Sequence, residues 1–359
     1  MFKGVRDLWR REFFPFFFLS IDKFFADFLP FPRFFFFVWL LLFPVMTEEL
    51  EDCIVRPPRA TYTTDELVGG PSGKFAVGLL PGSREDFELT NKRGEKLKCS
   101  YYKPVGPRVP QELPCVIYCH CNSGSRVDAN EVVSLIVPCG TAVLALDFAG
   151  SGHSDGEYVS LGVKEVDDVE AAVHWLRERG RSPIAMWGRS MGAVICLLYG
   201  QRDPTIAGIV MDSPFSNLVT LMEELAVDQG LRMPKYMLKS LISFLRYTIR
   251  KKCQFDIYQS DPLSAAQSSF IPALFGHGKE DDFIAFEHSE KLFKAYAGDK
   301  NLISFEGNHN SVRPTFFNTS VMIFLHNVLQ RNLSDDPAQM SVAGSFDFQS
   351  GYGMENCFV

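Results

Sequence analysis

The segment that most constrains the fold is residues 184–199, in which two glycines flank a serine. A short apolar run leads into the pentapeptide Gly-Arg-Ser-Met-Gly, and an apolar helical pattern follows it. This order predicts a strand, a sharp turn and a helix, which is typical of a nucleophile elbow. Gly188 and Gly192 have no Cβ to collide with the neighbouring strand and helix, so the Ser190 hydroxyl is predicted to project above the sheet. The positive end of the helix then faces any anion that forms there.

The overall composition favours one large domain and argues against a nucleic-acid partner. With 359 residues and 46% hydrophobic content, the chain suffices for one large α/β domain with appendages. Its net charge of −7 is the wrong sign for a phosphate-binding surface. Nine cysteines are an odd number, and several lie in apolar runs where Cys behaves as a small hydrophobe. We therefore expect a reducing, cytoplasmic location.

No metal or cofactor site is predicted. The sequence Cys119-His120-Cys121 has no second Cys/His pair at zinc-ligand spacing. The cysteines at these positions are better explained as part of a buried strand and the loop that follows it.

Residues 1–46 differ from the rest of the chain, since they contain 15 of its 33 phenylalanines. Residues 34–46 are uncharged and almost wholly apolar, but this run is shorter than the roughly 20 residues that span a bilayer as a helix. Prolines and charges interrupt any longer span, and the layout of a signal peptide is missing. The segment is predicted to be a membrane-surface anchor, a re-entrant or short spanning element, or sequence upstream of a true start at Met46.

Strand and helix patterns alternate on both sides of the elbow. Two segments that flank a turn signal, residues 84–90 and 96–102, predict a hairpin at a sheet edge, and residues 68–82 predict a Gly/Pro-rich loop. Further strands are predicted at 115–120, 141–147, 206–212, 270–275 and 301–305, and helices at 162–179, 219–229, 236–252 and 314–329. With the elbow, this alternation predicts the α/β-hydrolase fold: a mostly parallel sheet with helices on both faces.

Residues 217–260 interrupt the alternation with helical patterns and are predicted to form a cap over the site. Its apolar side chains either line a substrate pocket or pack the cap against the core; they are Met222, Leu225, Leu231, Met233, Met237, Leu241 and Phe244. After the last predicted helix, residues 331–359 show no periodicity and are predicted to be a disordered tail.

The loop after the strand at 115–120 is the candidate for one half of an oxyanion hole. In this fold that loop supplies one backbone N–H, and the residue after the nucleophile supplies the other. Asn122, or Cys121 with it, is predicted to donate the first N–H, and Met191 the second. His120 either supports this loop or only caps the strand.

The remaining catalytic groups are sought after the elbow, because the fold requires the order serine, carboxylate, histidine. Asp281 and Asp282 compete for the carboxylate, and His309 is the predicted base. His277 is the rival histidine, more simply explained as a loop residue held by hydrogen bonds. Asp147 precedes the elbow, so it is predicted to anchor the glycine-rich loop after it by accepting backbone N–H bonds.

Several stretches within residues 47–330 resemble the α/β-hydrolase superfamily, and within it the serine-aminopeptidase-like group that includes membrane-associated acyl-protein thioesterases. The matching stretches are residues 116–124, 146–154, 187–193, 212–215, 276–281 and 307–310. In relatives the carboxylate stands three residues after the His-Gly pair, which favours Asp281. Relatives usually carry glycine where this chain has Cys121. If that position needs a positive φ, Cys121 strains the loop.

These observations predict a serine hydrolase that cleaves an ester, thioester or amide through an acyl-enzyme, with a triad of Ser190, His309 and Asp281. The resemblance adds an acyl-protein thioesterase or lipid esterase as the particular activity, near a membrane surface if residues 1–46 are an anchor. Two alternatives stay open. One is a catalytically weak scaffold used for binding, suggested by Cys121 and by the hydrophobic N-terminus, and the other is a serine peptidase.

Overall fold

The computed structural model describes residues 51–334, except Cys53, Arg108, Gln111, Ser182 and residues 229–233. For residues 331–334 it describes the backbone alone. The chain divides into two units, Met1–Cys53 and Ile54–Val359. In the first unit only Glu51 and Asp52 are described, and both are helical. The predicted extension 1–46 therefore lies outside the described residues, as does the predicted tail from residue 335 onward. Within the described ranges, no helix is both long and apolar enough to cross a membrane.

A nine-stranded sheet lies at the centre of the described part of the second unit. Its strands are β1 (Lys74–Val77), β2 (Leu80–Thr90), β3 (Lys96–Pro104), β4 (Cys115–Cys119), β5 (Ala142–Leu146), β6 (Ile184–Arg189), β7 (Ile209–Asp212), β8 (Ala273–Gly278) and β9 (Lys300–Phe305). Their order is β1-β2-β3-β5-β4-β6-β7-β8-β9. The first three strands pair antiparallel, as does β3 with β5, whereas β4 to β9 pair parallel. The carboxyl ends of the six parallel strands therefore meet at one edge, where open α/β sheets bind ligands.

Helices cover both faces of this sheet, as predicted. They are α1 (Asn130–Ile136), α2 (Glu165–Glu178), α3 (Met191–Arg202), α4 (Leu218–Asp228), α5 (Lys235–Cys253), α6 (Pro262–Ser268), α7 (Phe286–Ala295) and α8 (Thr315–Ser334). On one face, α1 and α8 share a buried apolar cluster with Val116 and Tyr118 of β4. Successive strand residues point to opposite faces, and Cys119 of β4 contacts Cys196 of α3. On that second face, α2, α3, α6 and α7 contact one another in this order.

The short edge strand β1 lies within residues 68–82, for which a loop was predicted. It pairs with β2 across a tight turn in which Gly78 has a φ of 58°. The hairpin of β2 and β3 forms as predicted, but β1 rather than β2 occupies the edge. The four residues of β1 lie between glycines and are too few to show the alternation that indicates a strand. They form a strand because they pair with β2.

Other predicted boundaries also differ from the structure. The strand predicted at 270–275 begins at Ala273, after Pro272, whose ring leaves it no N–H to donate. It continues through His277 to Gly278, because pairing with β9 persists to the Gly278–Phe305 pair. The last helix continues to Ser334, five positions beyond the predicted end.

Residues 217–260, which were predicted to be an insertion, contain the helices α4 and α5. Glu224 of α4 bonds to His288 of α7 at 2.7 Å, and the Ser260 hydroxyl donates to the carbonyl oxygen of Leu161 at 2.7 Å. Of the apolar residues predicted to face a pocket or the core, Leu241 is buried. Leu231 and Met233 lie outside the described residues, and the role of the insertion as a cap stays a prediction.

Candidate active site

Ser190 lies at the turn between β6 and α3. Its φ and ψ are 54° and −118°, a backbone conformation that L-residues rarely adopt. Hydrogen bonds hold the turn on both sides. The Ser190 N–H donates to the carbonyl oxygen of Asp212 at 2.8 Å, and the Ala193 N–H donates to that of Ser190 at 3.0 Å. The strained backbone is therefore fixed by β7 on one side and by α3 on the other.

Close backbone contacts explain the two glycines that flank this turn. A Cβ on Gly188 would lie 2.1 Å from the carbonyl oxygen of Gly192, and a Cβ on Gly192 would lie 2.0 Å from that of Cys119. Neither contact is sterically possible, so only glycine fits at these positions. The second contact also places the N-terminus of α3 against the beginning of the loop after β4.

His309 follows β9 and contacts Asp281, which follows β8. His309 Nδ1 lies 2.7 Å from Asp281 Oδ2, and both side chains are buried. The other oxygen, Asp281 Oδ1, accepts the N–H groups of Phe283 at 3.0 Å and Ile284 at 2.8 Å. Asp282 is exposed. Of the two candidate carboxylates, the structure thus brings Asp281 to the histidine.

The contacts of Asp281 keep its carboxylate ionised. Burial raises the pKa of Asp281, but the contacts with His277 and His309 and the Ile284 N–H outweigh burial and hold the pKa well below its usual range. A carboxylate in this state accepts the Nδ1 hydrogen of His309. In the neutral ring, Nε2 is then the unprotonated nitrogen.

Two arginines connect the His309 loop to the elbow. Arg189 Nη2 donates to the carbonyl oxygen of His309 at 2.6 Å, and Arg313 Nη2 donates to the same oxygen at 3.3 Å. Arg313 also forms two bonds to the carboxylate of Asp212, whose carbonyl oxygen accepts the Ser190 N–H. Burial raises the pKa of Asp212, but Arg313 and then Arg189 hold it below its usual range.

Sequence reasoning assigned no role to Arg189, Asp212 or Arg313. Arg189 lies within the elbow pentapeptide and Asp212 within a stretch that carried the family resemblance, so sequence motifs could have indicated both residues. Arg313 is 101 residues from Asp212, and no spacing rule connects them. Within the described residues, the side chains of Ser190 and His309 share no hydrogen bond.

His120 supports the loop after β4, and it is fully buried. The Phe148 N–H donates to His120 Nε2 at 3.1 Å, so Nε2 is unprotonated and Nδ1 carries the hydrogen. Nδ1 then donates to the carbonyl oxygen of Cys121 at 2.7 Å. The Gly124 N–H donates to the same oxygen at 3.0 Å. The loop conformation is therefore held from two sides.

The backbone strain considered for Cys121 does not arise. Among the described residues other than glycine, a positive φ occurs at Leu161, Ser190, Ser213 and Gln254. Burial, together with the nearby Asp128 carboxylate, raises the pKa of the Cys121 thiol to about 12. Cys121 is therefore an uncharged thiol in a relaxed backbone.

The predicted oxyanion-hole donors have their N–H groups available. Within the described part of the chain, the N–H groups of Asn122 and Met191 make no hydrogen bond to protein. Met191 is the first residue of α3, where helix N–H groups lack partners inside the helix. The Asn122 side-chain Oδ1 is buried without a partner.

Asp147 has the structural role predicted for it. Its carboxylate accepts the Arg126 N–H at 2.7 Å and the His153 N–H at 2.9 Å. The Tyr62 hydroxyl donates to it at 2.7 Å. These bonds fix the glycine-rich loop after β5, whose Gly152 approaches the same carboxylate closely.

A second cluster has the residue types of a catalytic triad. Ser216 Oγ lies 2.8 Å from His288 Nδ1, and His288 Nε2 lies 2.7 Å from Glu224 Oε2. However, Ser216 is only 2% exposed and His288 is fully buried. The Ser216 N–H also donates a hydrogen bond to His288 Nδ1. This cluster therefore connects α4 to α7. Sequence reasoning missed it because its members meet only in the fold.

No group of three or more His, Cys, Asp or Glu side chains in the described residues is arranged to hold a metal ion. The structure has the α/β-hydrolase fold, and its elbow serine and its histidine–carboxylate pair follow strands at the carboxyl edge of the parallel part of the sheet.

Comparison with known proteins shows a resemblance to one family. Residues 112–270 match the family model described as serine aminopeptidase, S33. The matched range contains Asn122 and Ser190 but ends before Asp281 and His309.

Individual proteins are also similar to this chain. Uncharacterized protein YfhR of Escherichia coli O157:H7 is 27% identical over 267 residues, which cover 72% of this chain and 83% of that protein. Human monoglyceride lipase is 28% identical over 184 residues, 49% of this chain and 59% of the lipase. Among solved structures, esterase Pf2001 of Pyrococcus furiosus matches with a TM-score of 0.59 and 21% identity, over 77% of this chain and 98% of that one.

Proposed function

We propose that the protein is a serine hydrolase that cleaves acyl esters through an acyl-enzyme formed on Ser190. The observation that carries this proposal is the Ser190 backbone, at φ 54° and ψ −118° between β6 and α3. Such strain costs roughly 1–3 kcal/mol and persists where the surrounding structure enforces it, commonly at active sites. Here the close contacts of Gly188 and Gly192 enforce it.

His309 is the general base in this proposal. An unassisted serine hydroxyl is a poor nucleophile and needs a base to accept its proton. Because His309 Nδ1 faces Asp281, Nε2 is the nitrogen that takes the Ser190 proton as Oγ bonds to the acyl carbon. Asp281, held ionised, stabilises the imidazolium that results.

The backbone N–H groups of Asn122 and Met191 receive the negative charge that develops on the acyl oxygen. One such donor contributes roughly 3 kcal/mol to transition-state stabilisation in comparable sites. The acyl carbon–oxygen bond then breaks, and His309 returns the proton to the leaving alcohol. In the second half of the reaction, His309 takes a proton from water as the water oxygen bonds to the acyl carbon. The bond from that carbon to Ser190 Oγ then breaks, His309 returns the proton to Oγ, and the carboxylic acid leaves.

Esters are the favoured substrate class because a relative of the chain is named monoglyceride lipase. Thioesters and amides pass through the same steps and differ in the leaving atom. A more specific form of this proposal is a thioesterase or lipid esterase that acts near a membrane surface, with residues 1–46 as an anchor. The alternative of a weak binding scaffold was suggested by Cys121 and by the hydrophobic N-terminus. The first of these reasons no longer supports it, because Cys121 does not have a positive φ.

Labelling of the purified protein with a fluorophosphonate probe tests the proposal. We expect the wild type to be labelled, and Ser190→Ala and His309→Ala to lose labelling. Ser216→Ala is the matched control, because Ser216 bonds to the fully buried His288 and lies outside the elbow, and this variant should be labelled like the wild type. An unlabelled wild type, or labelling that survives in Ser190→Ala, would contradict the proposal.

Substrate class follows from a second experiment on enzyme that has not been exposed to the probe. Hydrolysis rates should be compared for p-nitrophenyl esters of increasing acyl length, an acyl thioester of the same chain and an aminoacyl anilide. We expect the esters to be cleaved fastest. A preference for the anilide would instead support a peptidase.

A further inference from the structure

His277 lies in β8, four residues before Asp281, and is fully buried. Its ring is held on both sides. Nδ1 lies 2.6 Å from the hydroxyl of Ser289 in α7, and Nε2 lies 2.8 Å from the carbonyl oxygen of Ile284. A carbonyl oxygen can only accept, so Nε2 carries a hydrogen, and in the neutral ring Nδ1 accepts the Ser289 hydroxyl hydrogen.

The same nitrogen reaches the carboxylate of Asp281. His277 Nε2 lies 3.3 Å from Asp281 Oδ2, the oxygen that also contacts His309 Nδ1. His277 acts on this carboxylate indirectly as well, since the N–H of Ile284 donates to Asp281 Oδ1 at 2.8 Å. One ring therefore contacts the carboxylate and holds the turn that binds it.

We propose that His277 is a positioning residue, whose Nε2–H group fixes the Asp281 carboxylate against His309, with the Ile284 carbonyl oxygen setting the tautomer and the Ser289 hydroxyl holding Nδ1. His277 does not reach the reacting atoms and acts through Asp281. The contact with His277 also contributes to the low pKa of Asp281, which burial by itself would raise. The expected effect on kcat rests on the function proposed above, whereas the expected effect on the contact between Asp281 and His309 does not.

Two substitutions at His277 separate positioning from simple packing. His277→Leu fills the space but removes the hydrogen-bond donor, and His277→Gln retains an amide N–H near the position of Nε2. Ser289→Ala is a milder variant that removes only the bond to Nδ1. His288→Leu is the matched control, because His288 is also a fully buried histidine but contacts Ser216 and Glu224 instead of Asp281.

The first measurement is proton NMR of the His309 Nδ1–H, which requires no turnover. We expect a downfield resonance in the wild type that persists in His277→Gln and His288→Leu. It should shift upfield or broaden in His277→Leu, and in the same direction but less in Ser289→Ala. An unchanged resonance in a folded His277→Leu or Ser289→Ala would overturn the proposal.

The second measurement is a double-mutant cycle on ester hydrolysis. We expect His277→Leu to lower kcat about 10- to 100-fold with little change in KM, as misplacement of a catalytic group does, and His277→Gln to recover most of the loss. In an Asp281→Asn background the same substitution should lower kcat little further, because its partner is already lost. An equal loss in both backgrounds would show that His277 acts independently of Asp281.

The two measurements distinguish failure of the inference from failure of the proposed function. If the wild type hydrolyses no ester but the resonance responds as expected, His277 positions Asp281 and the proposed function is wrong. If the wild type hydrolyses esters and the His309 Nδ1–H resonance does not change in the His277 variants, the proposed function stands and the inference is wrong.

Discussion

The guanidinium of Arg313 holds the carboxylate of Asp212 with two hydrogen bonds, 2.7 Å from Nε and 2.9 Å from Nη2. Both side chains are almost fully buried. The pair lies between the two candidate catalytic groups, because the Asp212 carbonyl oxygen accepts the Ser190 N–H and Arg313 also donates to the carbonyl oxygen of His309. It therefore connects the elbow to the histidine loop.

Loss of this pair should cost stability and activity together. We expect Arg313→Met to destabilise the protein by about 3–5 kcal/mol in urea unfolding, because a buried carboxylate is left uncompensated. Arg313→Lys should cost less stability but still lower kcat, because an ammonium cannot form two parallel bonds. The control is Arg246→Met, which breaks a more exposed pair with Asp256 and should change stability little. Equal losses at Arg313 and Arg246 would contradict this account.

Gly192 should not tolerate even the smallest side chain. Because its Cβ would lie 2.0 Å from the carbonyl oxygen of Cys119, Gly192→Ala must displace either α3 or the loop after β4. We expect a loss of about 1–3 kcal/mol of stability and no fluorophosphonate labelling. Gly106→Ala is the control, since a Cβ there meets its nearest neighbour at 3.7 Å. Normal labelling of Gly192→Ala would show that the elbow is not built as described.

Asp281 and Asp282 are adjacent carboxylates with different surroundings. Asp281 bonds to His309, whereas Asp282 is exposed. We expect Asp281→Asn to lower kcat by roughly 10⁴-fold, the size of effect seen when a triad histidine loses its orienting carboxylate. Asp282→Asn should retain kcat within a few-fold. Steady-state ester hydrolysis by the two variants decides between them, and similar losses in both would remove Asp281 from the triad.

Cys121→Gly should not increase activity. Glycine is favoured where φ is positive, and Cys121 does not have a positive φ. The substitution instead frees the loop that carries the Asn122 N–H, so we expect kcat to be unchanged or a few-fold lower. Comparison of ester hydrolysis by the variant and the wild type measures this. A large gain would mean that the cysteine impairs the loop.

Acid should unfold the protein partly through Asp281. The pKa of this group is raised by burial but lowered further by His277, His309 and the Ile284 N–H, so the folded pKa is below the unfolded value of about 4. Such a group contributes stability that is present above the unfolded pKa and lost as pH falls through the folded pKa. We expect the urea midpoint to fall below about pH 4, and less steeply in Asp281→Asn than in the wild type. Asp282→Asn, the control, should follow the wild type. If Asp281→Asn also followed it, the carboxylate would not be the linked group.

Local patterns in the sequence were sufficient for the elbow and for most of the sheet. The close contacts of Gly188 and Gly192 arise within a few residues of Ser190 or against the adjacent strand, so the pentapeptide itself carries the information. The buried strands β4 and β5 are continuous apolar runs, and such runs are recognisable without knowledge of their neighbours. The order of serine, carboxylate and histidine along the chain also followed from the fold once the elbow was recognised.

Tertiary structure alone decided the contacts between distant residues. Arg313 meets Asp212, and Ser216 meets His288 and Glu224, only because β7, α4, α7 and the segment before α8 converge. The place of His277 in β8 depended on pairing with β9, and β1 became a strand by pairing with β2. The physical reason is common to all of them. Hydrogen bonds across the sheet or between helices join groups whose separation along the chain carries no periodic signal, so they form only when the sheet order brings them together.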